Sequence, residues 1–417
     1  MTIMSKSTKL FILLILYVIL GSSESIILKY VYNERSKGVP FFHETFIILL
    51  MFFSEIFSLP VYYIKNRKSQ KDSIKEDNKK MSEDELLIQE NEIKEISIKK
   101  KMLYIIIASI LDYISYFLGN LALAFISQSF ARLLNPLALV ELIFLYSWYR
   151  ARKKKKKIIL DQLIGFIISA VAIIIICFSV FYGIISDKKY EGETKGLLRF
   201  KLFVISFFMV LFSAISQSIQ NLIEENLVRE YNIHQFYCIG YEGIFGFIFN
   251  LILCIIFYFI KCDVNTDDNS QNSKTLAHIC HKDDKNIYRM EDPLFAFEQM
   301  FEEKKILYLL ITIIILRIFN KMISISIIKY GGALTRGIIE NFRIVIFWAY
   351  FVIPWVDESL LERFNWLKLL GVIFTVVSLI FYFNLFKIDE RRTIREKIGV
   401  LSSFNEIPER NSSINEG

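Results

Sequence analysis

Residues 335–355 read TRGIIENFRIVIFWAYFVIPW. At about 1.5 Å per residue the segment is long enough to cross a bilayer, yet its first half carries Arg336, Glu340 and Arg343. Spaced i, i+4 and i+7, these three share one face of a helix. A charge near the bilayer centre costs about 2.5–3.5 kcal/mol on the insertion scale, whereas each Ile, Leu, Phe or Val returns only about 0.3–0.6. The stripe therefore has to face other protein or a water-filled cavity, and intramembrane charge is a functional candidate by default. The competing use of the same residues is an ion-pair network that locks two helices together.

The rest of the chain is built the same way. Its 417 residues are 54% hydrophobic with 38 Phe, but hold only 6 Pro and 16 Gly, and the mean hydropathy is +0.41. Apolar runs of bilayer length recur at 10–30, 41–64, 103–125, 127–148, 158–182, 200–222, 236–260, 306–330, 335–355 and 367–385. The expected fold class is an all-α integral membrane protein with ten transmembrane helices. A soluble enzyme would spread its apolar residues in stripes. With four His, no Ser/His/Asp set, no metal-ligand helix and no phosphate loop, an enzyme is not expected, nor is a cofactor or metal.

The net charge of +7 is a topology signal, because the basic residues are concentrated in particular loops. Lys65, Arg67, Lys68 and Lys99 to Lys101 bracket the loop 65–101; Arg150, Arg152 and Lys153 to Lys157 follow the fourth run; Lys387, Arg391 and Arg392 open the tail. All fall on the side of the N-terminus, and the acidic loop 261–305 falls on the other. Both termini are therefore expected in the cytosol, with Cys262 and Cys280 in a lumen. An oxidising lumen makes that pair the disulfide candidate. The alternative, metal at His278, Cys280 and His281, lacks a second Cys pair at finger spacing. The same loop ends in MEDPLFAFEQMF, whose Leu294, Phe295, Phe297 and Phe301 are expected on the bilayer surface.

The chain reads as a duplication. SFARLLNPLALVELIF leads into DQLIGFIISAVAIIII, and ALTRGIIENFRIVIFW leads into WLKLLGVIFTVVSLIF. Gly165 and Gly371 lie 33 and 35 residues beyond Arg132 and Arg336. Five spans per unit, an odd number, insert the copies upside-down relative to each other, which places a solute site near the midplane between them. The units are residues 1–182 (with the cytosolic loop 65–101) and 183–386 (with the lumenal loop 261–305), followed by a cytosolic tail, 387–417. Gln128, Arg132 and Asn135 repeat the spacing of Arg336, Glu340 and Arg343, so Asn135 and Arg343 sit about 12–15 Å deep in a ~30 Å core. Guanidinium and amide donors there suit a polar, anionic organic solute. The expected binding set is Gln128, Arg132, Asn135, Gln217, Gln220, Asn320, Arg336, Glu340, Asn341 and Arg343. Glu24, Glu55, Asp112 and Glu242 are candidates for proton coupling. Internal pairing of Arg343 with Glu242, or Arg132 with Glu141, is the structural alternative.

Several blocks carry a family resemblance: Gly21, Ser22 and Lys29; Met51, Phe52 and Glu55 of MFFSE; Asp112; and EENLVREYNIHQFYCIGYEGIFGF. MEDPLFAFEQM follows, then Phe319, Asn320, Lys329, Thr335, Arg336, Arg343 and Trp348, with Glu340 at an acidic position. In these the chain resembles the drug/metabolite transporter superfamily, EamA-type, and within it subfamily F of solute carrier family 35. In the fourth run, SFARLLNP places its arginine two positions before that of relatives. The resemblance implies a ten-helix carrier of the nucleotide-sugar-transporter kind in an endomembrane: lysosome, vacuole or Golgi. A chloroquine-resistance-type cousin with a cysteine-bearing loop implies the alternative of a proton-coupled exporter of peptides, amino acids or drug-like cations. A non-transporting membrane adaptor, recruiting partners through its basic loops, is the reading of another class. The expected partners are a small-molecule solute, membrane lipid and a second copy in a homodimer, and no nucleic acid.

Overall fold

The computed structural model describes residues 6–36, 38–76, 97–122, 128–153, 160–186, 193–262, 280–282, 288–352 and 365–382. In chain order its main helices are α1 Lys6–Asn33, α2 Glu44–Ile56, α3 Ser58–Glu76, α4 Ile98–Leu121, α5 Gln128–Lys153, α6 Leu160–Ser186 and α7 Glu193–Glu225. They continue with α8 Gln235–Phe259, α9 Pro293–Glu302, α10 Lys304–Gly331, α11 Ala333–Val352 and α12 Trp366–Tyr382. Two short antiparallel strand pairs, Arg35–Ser36 with Val39–Pro40 and His281–Lys282 with Tyr288–Arg289, and a π-helical turn at Asn226–Glu230 complete the described elements.

Six stretches have the length and apolarity to cross a membrane: Thr8–Asn33, Glu44–Arg67, Ile98–Leu121, Phe200–Glu230, Gln235–Phe259 and Lys304–Gly331. Leu134–Tyr149, Leu163–Ser179 and Trp366–Tyr382 are shorter apolar helices, and α11 carries the charged stripe. The protein is thus an integral membrane protein of helical class, and the expected ten spans are met in part. The distribution of side chains is that of a lipid-facing bundle. Ile174, Phe178, Ile252 and Phe259 are exposed, while Glu55, Glu242, Asn221, Gln220 and Ser213 are buried. That inverts the order of a water-soluble protein.

The second apolar run is not one straight helix. Its hydrogen bonding is interrupted at Phe57 between α2 and α3, where the backbone stays right-handed helical, because Pro60 has no N–H to bond the carbonyl of Ile56. Elsewhere the helices outrun the apolar stretches at their polar ends, as in α7, which continues into a π turn at Asn226–Glu230.

The most extensive contacts join α6 to α12, α4 to α7, α1 to α10, and α2 to α8, followed by α5 with α7 and α11, α4 with α8, and α1 with α11. Glycines set two of these crossings. A Cβ on Gly165 of α6 would stand 3.1 Å from the Ser378 carbonyl of α12, and one on Gly371 of α12 would stand 2.5 Å from Ile176 of α6. On α8, Gly243 lies against the α2 backbone, where a Cβ would be 2.8 Å from the Ile56 nitrogen.

One end of the bundle is closed by α9. Asp292 caps it, accepting from Leu294 N at 3.1 Å and Phe295 N at 3.0 Å, with Pro293 at the first turn. Cys262 and Cys280 are joined by a disulfide on the same side. His43, fully buried, lies 2.8 Å from Glu291 Oε1 and 3.0 Å from Gln299 Oε1, tying α9 to the start of α2. The amphipathic face differs from expectation at one residue. Leu294, Phe297 and Phe301 are exposed, but Phe295 is buried edge-on to His43, because it shares its helix face with Gln299.

At the opposite end, Gly332 adopts φ +91°, and a Cβ there would be 2.8 Å from Arg229 and 3.0 Å from Glu225. Glu225 Oε2 accepts from Ala333 N at 3.3 Å and so caps α11.

Candidate functional site

Two layers of polar side chains run through the bundle. The first is anchored on α10, where Arg317 and Lys321 stand one turn apart and are 4% and 3% exposed. Arg317 donates to Glu55 Oε1 from Nη2 at 2.9 Å and from Nε at 3.1 Å. It also lies 3.6 Å from Asp112 and 3.7 Å from Glu24, and it donates to the Tyr116 hydroxyl. Lys321 Nζ donates to Asp112 Oδ2 and Glu224 Oε1, both at 3.1 Å, and lies 3.3 Å from Glu242. Arg336 of α11 extends the chain, donating to Glu224 Oε2 at 3.0 Å and to Asn221. Gln220 donates to Glu224 at 3.0 Å, and Asn320 donates to Glu24. Helices α1, α2, α4, α7, α8, α10 and α11 all contribute. Desolvating so many charges is tolerable only because every cation meets at least one carboxylate, Arg317 and Lys321 three each; removing one partner strands the others.

The second layer is a cavity of about 60 Å³ between α1, α4, α5, α7 and α11. Its charged wall is Glu340 and Arg343, which pair at 2.9 Å on one helix. Arg343 Nη2 also donates to Ser25 at 3.0 Å, and Tyr17 donates to Glu340. Gly21 makes room for that guanidinium: a Cβ there would be 2.5 Å from Arg343 Cδ. The neutral wall includes Ser115, Asn120, Asn135 and Gln217, with Asn135 donating to Ser213 at 3.3 Å.

Four members of the expected binding set, Asn135, Gln217, Glu340 and Arg343, therefore meet at this cavity. Gln220, Asn320 and Arg336 belong to the ion-pair layer instead, and Asn341 is buried away from the cavity lining. Gln128 and Arg132 lie in the first turns of α5, their side chains outside the described residues, as is the Arg132–Glu141 pairing. The other anticipated pairing is corrected. Arg343 binds Glu340, its neighbour on the same helix, while Glu242 faces Lys321. All four proton-coupling candidates, Glu24, Glu55, Asp112 and Glu242, stand in the ion-pair layer. Sequence reasoning omitted Arg317, Lys321, Glu224 and Tyr17 from the site. The first two were within reach, since they stand at i, i+4 inside an apolar run, the same signal that singled out the stripe on α11. Tyr17 carries no charge and offered no signal.

This geometry sits beside a measurable sequence relationship. The chain is similar to solute carrier family 35 member F6. It is 26% identical to the Homo sapiens protein and 27% identical to that of Rattus norvegicus, each over 175 residues. Against the Mus musculus protein it is 28% identical over 176 residues. Each match covers 42% of this chain and 41% of the relative, so the chain spans about two fifths of the length of the curated relatives it matches. No protein-family model matches the chain.

Proposed function

We propose that the chain is a secondary-active carrier that moves a polar organic solute bearing an anionic group across an endomembrane by alternating access. The observation that carries this reading is the Arg343 guanidinium, largely withdrawn from the surface at a cavity where five helices meet. A largely enclosed cation beside amide and hydroxyl groups suits carboxylate or phosphate, and the relatives are named solute carriers.

The packing supports a plan of ten spans in two inverted units. Exchange α1 with α7, α2 with α8, α4 with α10, α5 with α11 and α6 with α12. The contact α1–α10 then becomes α7–α4, α5–α7 becomes α11–α1, and α4–α8 becomes α10–α2, all present. The pairs α2–α8, α5–α11 and α6–α12 map onto themselves. A bundle with this exchange has two related arrangements about a central site, which is the requirement for alternating access. The distribution of basic loops supports cytosolic termini and a lumenal disulfide.

The test is uptake by the full-length protein in liposomes. Arg343→Ala is expected to abolish uptake of a transported solute while the folded fraction, read by size exclusion, is retained. Uptake unchanged in that variant removes the site. An adaptor acting through its basic loops requires the opposite pattern, function lost on removing residues 65–101 and kept when Arg336 and Arg343 are neutralised.

Proton coupling is a second reading with its own observation. Glu242 has no hydrogen-bond donor to either oxygen among the described residues, and Glu55 Oε2 has none. A carboxyl held among cations, with an oxygen free of donors, is a place for a transferable proton. Glu242→Gln is then expected to make uptake independent of the proton gradient.

A further inference from the structure

The cavity's charged wall is not a lone cation. Glu340 and Arg343 present opposite charges side by side, 2.9 Å apart and largely buried, and both line the same space. In the empty carrier each neutralises the other. A solute with only an anionic group would draw the guanidinium away and leave the Glu340 carboxylate in a low-dielectric interior with Tyr17 as its one hydrogen-bond donor among the described residues. A purely cationic solute would strand Arg343 in the same way. Either exchange takes from a charge its nearest partner in a water-poor interior, the costly outcome for an intramembrane pair. A solute that carries both charges inserts between the two side chains and replaces one internal pair by two intermolecular ones.

The neutral groups agree with this division. Asn120, 2% exposed, has an Nδ2 with no hydrogen-bond partner among the described residues, and Arg343 Nε likewise has none. These are donors, suited to a carboxylate. Asn135 Oδ1, also without a partner among them, is an acceptor suited to an ammonium. All three residues line the cavity. Its volume of about 60 Å³ is that of a few waters, room for a small solute at most and far short of a nucleotide sugar.

We propose that this cavity binds a small zwitterion of the α-amino acid type, its carboxylate on Arg343 and Asn120 and its ammonium on Glu340 and Asn135. The inference rests on the carrier reading above and names the solute class of that site.

Proteoliposomes of the full chain are offered radiolabelled L-alanine, propionate, ethylamine and UDP-glucose in parallel. The expected result is saturable alanine uptake, competed by glycine and serine and not by an excess of propionate or ethylamine. Glu340→Gln and Arg343→Met are each expected to weaken alanine competition by about tenfold or more, the loss of one charge-assisted contact. The competition series on the unmodified protein decides the matter even where a variant does not fold. Uptake of propionate or UDP-glucose with alanine silent overturns the zwitterion assignment and leaves the carrier standing. No uptake of any of the four by folded protein overturns the assignment and counts against transport itself.

Discussion

Arg317 binds more of the molecule together than any side chain of the stripe on α11. It reaches Glu24, Glu55 and Asp112 on three different helices. Breaking a buried pair by removing one partner costs about 3–5 kcal/mol, so Arg317→Met is expected to lower the stability of the detergent-solubilised protein by about that amount. Thermal or denaturant unfolding followed by circular dichroism reads it. Gln217→Ala, at the neutral wall of the cavity, leaves no charge without its partner and is expected to cost far less. The contrast separates residues that hold the bundle from residues that face the cavity, a distinction invisible in the sequence. Arg317, Lys321, Arg336 and Arg343 all read as charges in apolar runs. Which carboxylate each meets depends on helix neighbours that are distant in the chain, and hydropathy contains no information about those.

At the scale of elements, the crossing of α2 and α8 depends on absent side chains. Gly243→Ala would place a methyl 2.8 Å from the Ile56 nitrogen and 2.9 Å from Glu55 Cβ; backbone cannot swing aside as a long side chain can. Overpacking of this kind costs about 1–3 kcal/mol, and the displaced Glu55 is expected to loosen Arg317 as well. The start of α8 gives a pH prediction. His234 caps it, with Nδ1 accepting from Phe236 N at 3.3 Å. Partial burial, then the charges of Lys65 and Lys329, hold its imidazole below the ordinary range. A histidine harder to protonate when folded gives full stability above its unfolded value of about 6.5, and that stability declines as pH falls through and below it. His234→Asn retains a cap without the titration, so its unfolding midpoint is expected to fall less on acidification than that of the unmodified protein. Existence and order of the helices were legible because bilayer-length apolar runs admit few other structures. The break at Phe57 was also legible, from Pro60, though the run was read straight through it. Helix ends were not, since the hydrogen-bonded backbone continues past the last apolar residue into segments such as Lys99 to Lys101 of α4.

On the scale of the whole molecule, the closed end carrying α9 is held by one covalent link and the His43 cluster. The Cys262–Cys280 bond spans 18 residues, and closing a loop of that size stabilises by about 3 kcal/mol in the chain-entropy account. Cys280→Ser is expected to lose up to about that amount, with protease sensitivity rising near α9 before the helical bundle opens. The blocks around Gly165 and Gly371, paired in the sequence as marks of a duplication, bring both glycines to the α6–α12 crossing. The ion-pair layer has a consequence for biogenesis. Helix α10 brings Arg317 and Lys321 into the bilayer late in synthesis, and most of the carboxylates that neutralise them arrived earlier, on α1, α2 and α4. A ribosome releasing residues 183–417 alone would leave Arg317 without the three carboxylates it meets and Lys321 without Asp112, though still beside Glu224 and Glu242, so this fragment should be cleared by quality control, and rescued when residues 1–182 are translated as a separate polypeptide in the same cell.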